Sequence, residues 1–123
     1  MKKRNGFTLL ELIIALGILS IGFLSLSNLS IALLKANKYS QNKTAALQLA
    51  QEKMESIKNL SFSELKGEVE SGLTIGTVGT LFRRETIVQK DSSLADITVR
   101  VLWPSISGQA RFHTTELNTR IAG

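Results

Sequence analysis

Residues 6–34 read GFTLLELIIALGILSIGFLSLSNLSIALL and follow Met1-Lys2-Lys3-Arg4-Asn5. The only charge in that stretch is Glu11, and Leu12 to Leu34 form 23 consecutive uncharged residues. At a rise of about 1.5 Å per residue, about 20 apolar residues cross a bilayer core of about 30 Å. The run is long enough to span a membrane. The competing reading, a core helix buried in a water-soluble domain, fails on supply. Only 89 residues follow Leu34, too few to wrap a long rod that is apolar on every side.

A basic start before an apolar run also suits a secretory signal peptide, cut at a small-x-small site such as Ser25-Leu26-Ser27. The apolar region exceeds the about 7 to 15 residues usual for such a peptide, and Glu11 near its beginning has no place there. A carboxylate inside a membrane helix costs on the order of 2.5–3.5 kcal/mol at the centre and less near an end, so Glu11 calls for a functional partner. Gly17, Ser20 and Ser27 recur near helical spacing and offer small surfaces for close helix approach. Orientation is not fixed by charge, because Lys2, Lys3 and Arg4 before the span are matched by Lys35, Lys38 and Lys43 after it.

The basic leader ending in Gly6, then Phe7, then Glu11, then the apolar rod, together resemble the cleavage and methylation signature of the type IV pilin-like family. The resemblance implies cleavage between Gly6 and Phe7 by prepilin peptidase and N-methylation of Phe7. The apolar helix stays in the mature chain, as inner-membrane anchor and then as filament core. It also implies an assembly role for Glu11, whose carboxylate would neutralise the N-terminal amine of a neighbouring subunit; an unpaired charge in an apolar filament core is penalised where a staggered pair is not. Within its own chain Glu11 lies one turn from Phe7, at the positive end of the helix dipole. The implied partners are the peptidase, other pilin or pseudopilin subunits and the inner-membrane assembly platform. The implied topology is single-pass, with the leader cytoplasmic and the C-terminal part outside. Asn28 stands where major pilins often carry a helix-bending Pro.

Beyond the rod, helix formers continue, and no Gly or Pro interrupts residues 23–66. The spacing predicts a continuous helix from Phe7 to about Leu60, roughly 80 Å long. In its second half Leu47, Ala50, Met54 and Ile57 recur at three and four residues and form one apolar stripe. Gly67, Gly72, Gly76 and Gly79 mark residues 61–80 as a loop with room for one short strand. Strands are predicted at Leu81–Gln89 and at Ala95–Trp103, where Ile97, Val99, Val101 and Trp103 alternate with Thr98, Arg100 and Leu102. Pro104 to Gly108 reads as a turn, and Ala110 to Leu117 as a returning strand.

The expected class is therefore α+β. A long N-terminal helix, membrane-spanning in its first half and amphipathic in its second, lies on a small antiparallel sheet. The segments are a leader at 1–6, a transmembrane and filament-core helix at 7–34, an amphipathic helix at 35–60 and a loop plus sheet at 61–123. Residues Leu49 to Ile57 and Val99 to Trp103 further resemble the small minor pilins of the pilus-modification class and the minor pseudopilins of type II secretion. Such subunits are expected in a tip or initiation complex, not in the shaft.

Composition narrows the chemistry. With no Cys and a single His, His113, thiolate and multi-histidine metal sites are excluded. Glu64, Glu68 and Glu70 lack the spacing of a calcium loop, and no motif places a nucleophile or orienting group beside His113. The chain is read as a non-enzyme with no cofactor. The formal net charge of +5 falls to +2 once Lys2, Lys3 and Arg4 are removed, too little to predict a nucleic-acid partner. The different-class alternative is a single-pass membrane protein with a small extracytoplasmic binding domain.

Overall fold

The computed structural model describes residues 5–106 and 111–123. Lys2, Lys3 and Arg4 of the leader, and Ser107, Gly108 and Ala110 of the expected turn and returning strand, lie outside the described residues. The elements are helix α1 (Leu9–Lys58), a short 3-10 turn at Phe62–Glu64, and strands β1 (Glu68–Leu73), β2 (Phe82–Lys90), β3 (Leu94–Pro104) and β4 (Phe112–Ala122). The strands form one antiparallel sheet in the order β1-β2-β3-β4. This is the expected α+β fold, a type-IV-pilin-like helix and sheet.

The chain divides into two compact units at Asn37/Lys38. In the first, α1 runs without a break through Asn28, and every described residue up to Asn37 is exposed. Its serines are not left with open hydroxyls. Ser20, Ser25, Ser27 and Ser30 each donate Oγ–H to the carbonyl four residues back, on Leu16, Ile21, Phe23 and Leu26, at 2.7–2.9 Å. Apart from Asn28, the rod thus presents hydrocarbon outward while its hydroxyls bond within the helix, which is what a lipid solvent demands.

In the second unit α1 acquires an inside. Asn42, Ala45, Ala46, Leu49, Ala50, Met54 and Ile57 are buried. They meet Phe82 of β2, Leu65, and Ala95, Ile97, Val99, Val101 and Trp103 of β3 in one core. The buried stripe differs from the predicted one at its start. Leu47 is only half-buried, and Ala46 and Leu49 hold the central line. A residue is about 100° round the helix from its neighbour, so the face fixed by Asn42, Ala46 and Leu49 leaves Leu47 at its margin.

Strand lengths are set by partners. β3 pairs with β4 from Leu94↔Ala122 to Pro104↔Phe112, so the last strand runs five residues beyond the predicted Leu117. β1, expected at most as a short strand within a loop, is held by pairing with β2, and its register shifts between Glu70 and Leu73. Gly72 sits in that shift with φ 71°, in the left-handed region that a side chain disfavours. The irregularity blunts an edge strand.

The outer face of the sheet is a charge ladder in register. Arg100 lies opposite both Glu85 and Glu116 and pairs with each, and Arg83 Nη2 reaches Glu85 at 2.9 Å. Arg120 and Asp96, also directly opposite, form a further pair that holds the Asp96 carboxyl below its usual range and raises the guanidinium.

Candidate functional site

The three residues singled out from the sequence lie together at the start of α1. Asn5 to Thr8 are exposed and without regular structure, so the Gly6–Phe7 bond sits in an open stretch directly before the helix. A side chain at Gly6 would meet nothing within 4 Å, and Phe7 is 94% exposed. In the intact chain Phe7 N is a peptide nitrogen; an α-amine exists there only after cleavage.

Glu11 has a partner that the sequence reading did not name. Thr8 precedes the first helical residue, and its backbone N–H donates to Glu11 Oε2 at 2.8 Å, while Glu11 N–H donates to Thr8 Oγ1 at 3.2 Å. This is a reciprocal capping box that satisfies two of the donors left open at a helix start. It also holds the carboxylate in the first turn, at the positive end of the helix dipole. Its signal, Thr8-x-x-Glu11 before an apolar run, was present in the sequence. Among the described residues Glu11 Oε1 accepts no hydrogen bond.

A second cluster ties β1 and β2 to α1. Arg84, a cation on the inner face of the sheet, is buried; its Nε donates to Glu70 Oε2 at 2.6 Å and its Nη1 to the Leu49 carbonyl at 3.0 Å. Lys53 Nζ reaches Glu68 Oε2 at 2.6 Å and Glu70 Oε2 at 3.6 Å. The bond from Arg84, helped by the nearby positive charges, draws the Glu70 carboxyl below its usual range despite partial burial. Glu68 and Glu70 therefore belong to a paired strand, not to the solvated loop predicted for them. Glu64 caps the 3-10 turn by accepting from Ser61 N–H at 3.0 Å and from its hydroxyl at 2.8 Å, which lowers its pKa. Among the described residues no group of three His, Asp or Glu side chains is placed to hold a metal ion.

His113 packs as an aromatic. Its ring meets Tyr39 edge-on at 4.8 Å and Trp103 at 5.5 Å, and Trp103 in turn contacts Phe82 at 6.1 Å. Asn42, buried three residues along α1 from Tyr39, accepts from Thr80 Oγ1 at 2.9 Å, and Lys38 Nζ donates to the Val78 carbonyl at 2.5 Å. These contacts fasten the loop after β1 to the helix. They hold the second unit together.

Comparison with known proteins bears on the N-terminus. Residues 1–27 match the family model described as the prokaryotic N-terminal methylation motif. No curated protein sequence and no solved structure gives a significant match. The chain thus combines that motif, which implies processing by a peptidase of the prepilin class, with a type-IV-pilin-like fold. Among the described residues one helix is apolar and long enough to cross a membrane, and with the motif it supports membrane association.

Proposed function

We propose that the chain is a minor structural subunit of a type IV pilus. Prepilin peptidase cuts it after Gly6 and methylates Phe7, and it assembles through residues 7–34 and Glu11 into a tip or initiation complex. Before assembly it is held in the inner membrane by a single span, with residues 61–123 and the amphipathic segment 35–60 extracytoplasmic. The observation that carries this reading is the methylation motif over residues 1–27, with its Gly6–Phe7 junction in an exposed, non-helical run immediately before an apolar helix. The capping box supports the assembly role: with Oε2 engaged by Thr8, Oε1 is left to receive the methylated amine of a neighbouring subunit.

Mass spectrometry of the mature protein tests the processing. The expected mass begins at Phe7 and carries one added methyl; an intact Met1, or a start at Asn28, overturns it. Glu11→Ala tests assembly. The variant is expected to be cut normally and to be missing from sheared filaments, and normal incorporation refutes the role. The same processing and helix serve a minor pseudopilin of type II secretion, so recovery of the chain in a secretion pseudopilus selects that alternative. Maturation independent of prepilin peptidase selects the membrane-anchored binding protein.

A further inference from the structure

Three segments converge at the Tyr39 end of the second unit, and none carries an acid. They are the first turns of α1 in that unit, the loop after β1 and the near ends of β3 and β4, from Trp103 to Ile106 and from Arg111 to His113. Tyr39 touches His113, whose cross-strand partner is Trp103, and one register step nearer the hairpin turn Phe112 faces Pro104. The loop joins the same end through Thr80 on Asn42 and Val78 on Lys38. No Asp or Glu occurs from Leu12 to Gln51 or from Ile97 to Thr115, and Ser71 to Leu81 is wholly uncharged. The charges in those stretches are Lys35, Lys38, Lys43, Arg100 and Arg111, of which Arg100 is already paired with Glu85 and Glu116 on the outer face of the sheet. Apolar groups at this end also stand in the open: Phe112 is 65% exposed, Ile106 52% and Tyr39 40%.

We infer that this end of the second unit docks on the headgroup layer of an anionic phospholipid bilayer, the same membrane that residues 12–34 cross. The inference rests on the reading of that run as a span. Tyr39 follows Leu34 by five residues, a reach of at most about 18 Å, so the bilayer surface lies within range of this patch. Exposed Phe and Ile at the strand ends and an amphipathic Tyr on the helix, with Lys and Arg and no acid in the same stretches, match the chemistry of that layer. Aromatic rings sit at headgroup depth, and each basic residue near the surface is attracted by anionic lipid. The opposite end of the unit lacks this character: Glu52, Glu55, Glu64 and Asp91 interrupt its basic residues.

The test uses nitroxide labels, which the cysteine-free chain accepts one at a time. Full-length variants Ile106→Cys, Phe112→Cys, Ser92→Cys and Leu16→Cys are reconstituted in phosphatidylcholine vesicles with and without phosphatidylglycerol. Power saturation then reads each label's collision with a water-soluble nickel chelate. Each hairpin label leaves the other apolar residue in place. The expected result is several-fold lower chelate access at 106 and 112 than at 92 in the anionic vesicles, with the difference shrinking in neutral lipid and on Lys43→Glu with Arg111→Glu. Access at 106 and 112 equal to that at 92, with the Leu16 label buried in lipid, overturns the docking alone. A water-accessible Leu16 label overturns the span and the docking with it. Protection that is equal in both lipids and grows with the protein-to-lipid ratio identifies a second copy as the occupant, and likewise overturns the inference.

Discussion

Residues 9–37 and 38–58 belong to one helix yet solve opposite problems. The first stretch exposes large apolar side chains on every side and returns its hydroxyls to its own backbone. The second buries one face and sends its polar bonds across the fold, from Asn42 to Thr80 and from the Leu49 carbonyl to Arg84. One stretch is self-sufficient and waits for its surroundings to cover it. The other is stable only because the sheet covers it.

The sharpest way to break this contrast is a pair of truncations. Phe82→Ala empties a fully buried site beside Trp103 and is expected to destabilise the second unit by about 3–5 kcal/mol, read by urea unfolding followed through the single tryptophan. Leu19→Ala removes as apolar a group from the rod and is expected to shift the same transition by less than about 0.5 kcal/mol. Equal losses would show that the two stretches do not differ as described.

Next in size is Arg84→Met, which removes a buried cation from Glu70 and from the Leu49 carbonyl and is expected to cost about 2–3 kcal/mol near neutral pH. The sign of the pH dependence follows from Glu70. Its carboxyl is held below the ordinary range by Arg84, so its contribution is complete above that range and is lost as pH falls through the depressed value. The unfolding free energy should therefore decline with acid in the parent chain. In Arg84→Met that part of the slope should be missing, as titrated denaturation curves would reveal.

The smallest expected effect is in the rod. Ser25→Ala deletes a hydroxyl whose only recorded bond is to the Ile21 carbonyl, and insertion and helicity in lipid vesicles should change little, within about 0.5 kcal/mol. A larger loss would mean that the serine bonds outside its own helix.

The rod was fully legible in the sequence because a continuous uncharged run needs no partner to be recognised. The β3 alternation was legible for a related reason: Ile97, Val99, Val101 and Trp103 sit on one face whatever they touch. What escaped depends on partners far along the chain. Asn42 and Arg84 are polar yet buried, because Thr80, Glu70 and the Leu49 carbonyl complete their bonds, and hydropathy cannot announce that. β1 needs β2 to hold it, and the end of β4 is decided by Leu94. At the N-terminus Gly6, Phe7 and Glu11 stood out by type and spacing, whereas the cap from Thr8 had a local signature that the apolar run overshadowed.

The serine bonds of the rod carry one further consequence. The engaged hydroxyls need break no hydrogen bond when the helix leaves lipid and make none when protein surrounds it, which leaves Asn28 as the polar side chain of residues 12–34 with bonds to change. Exchange between the two surroundings is then governed by van der Waals fit, by Asn28 and by the carboxylate at its head, and the serines do nothing to prevent the exchange from running backwards.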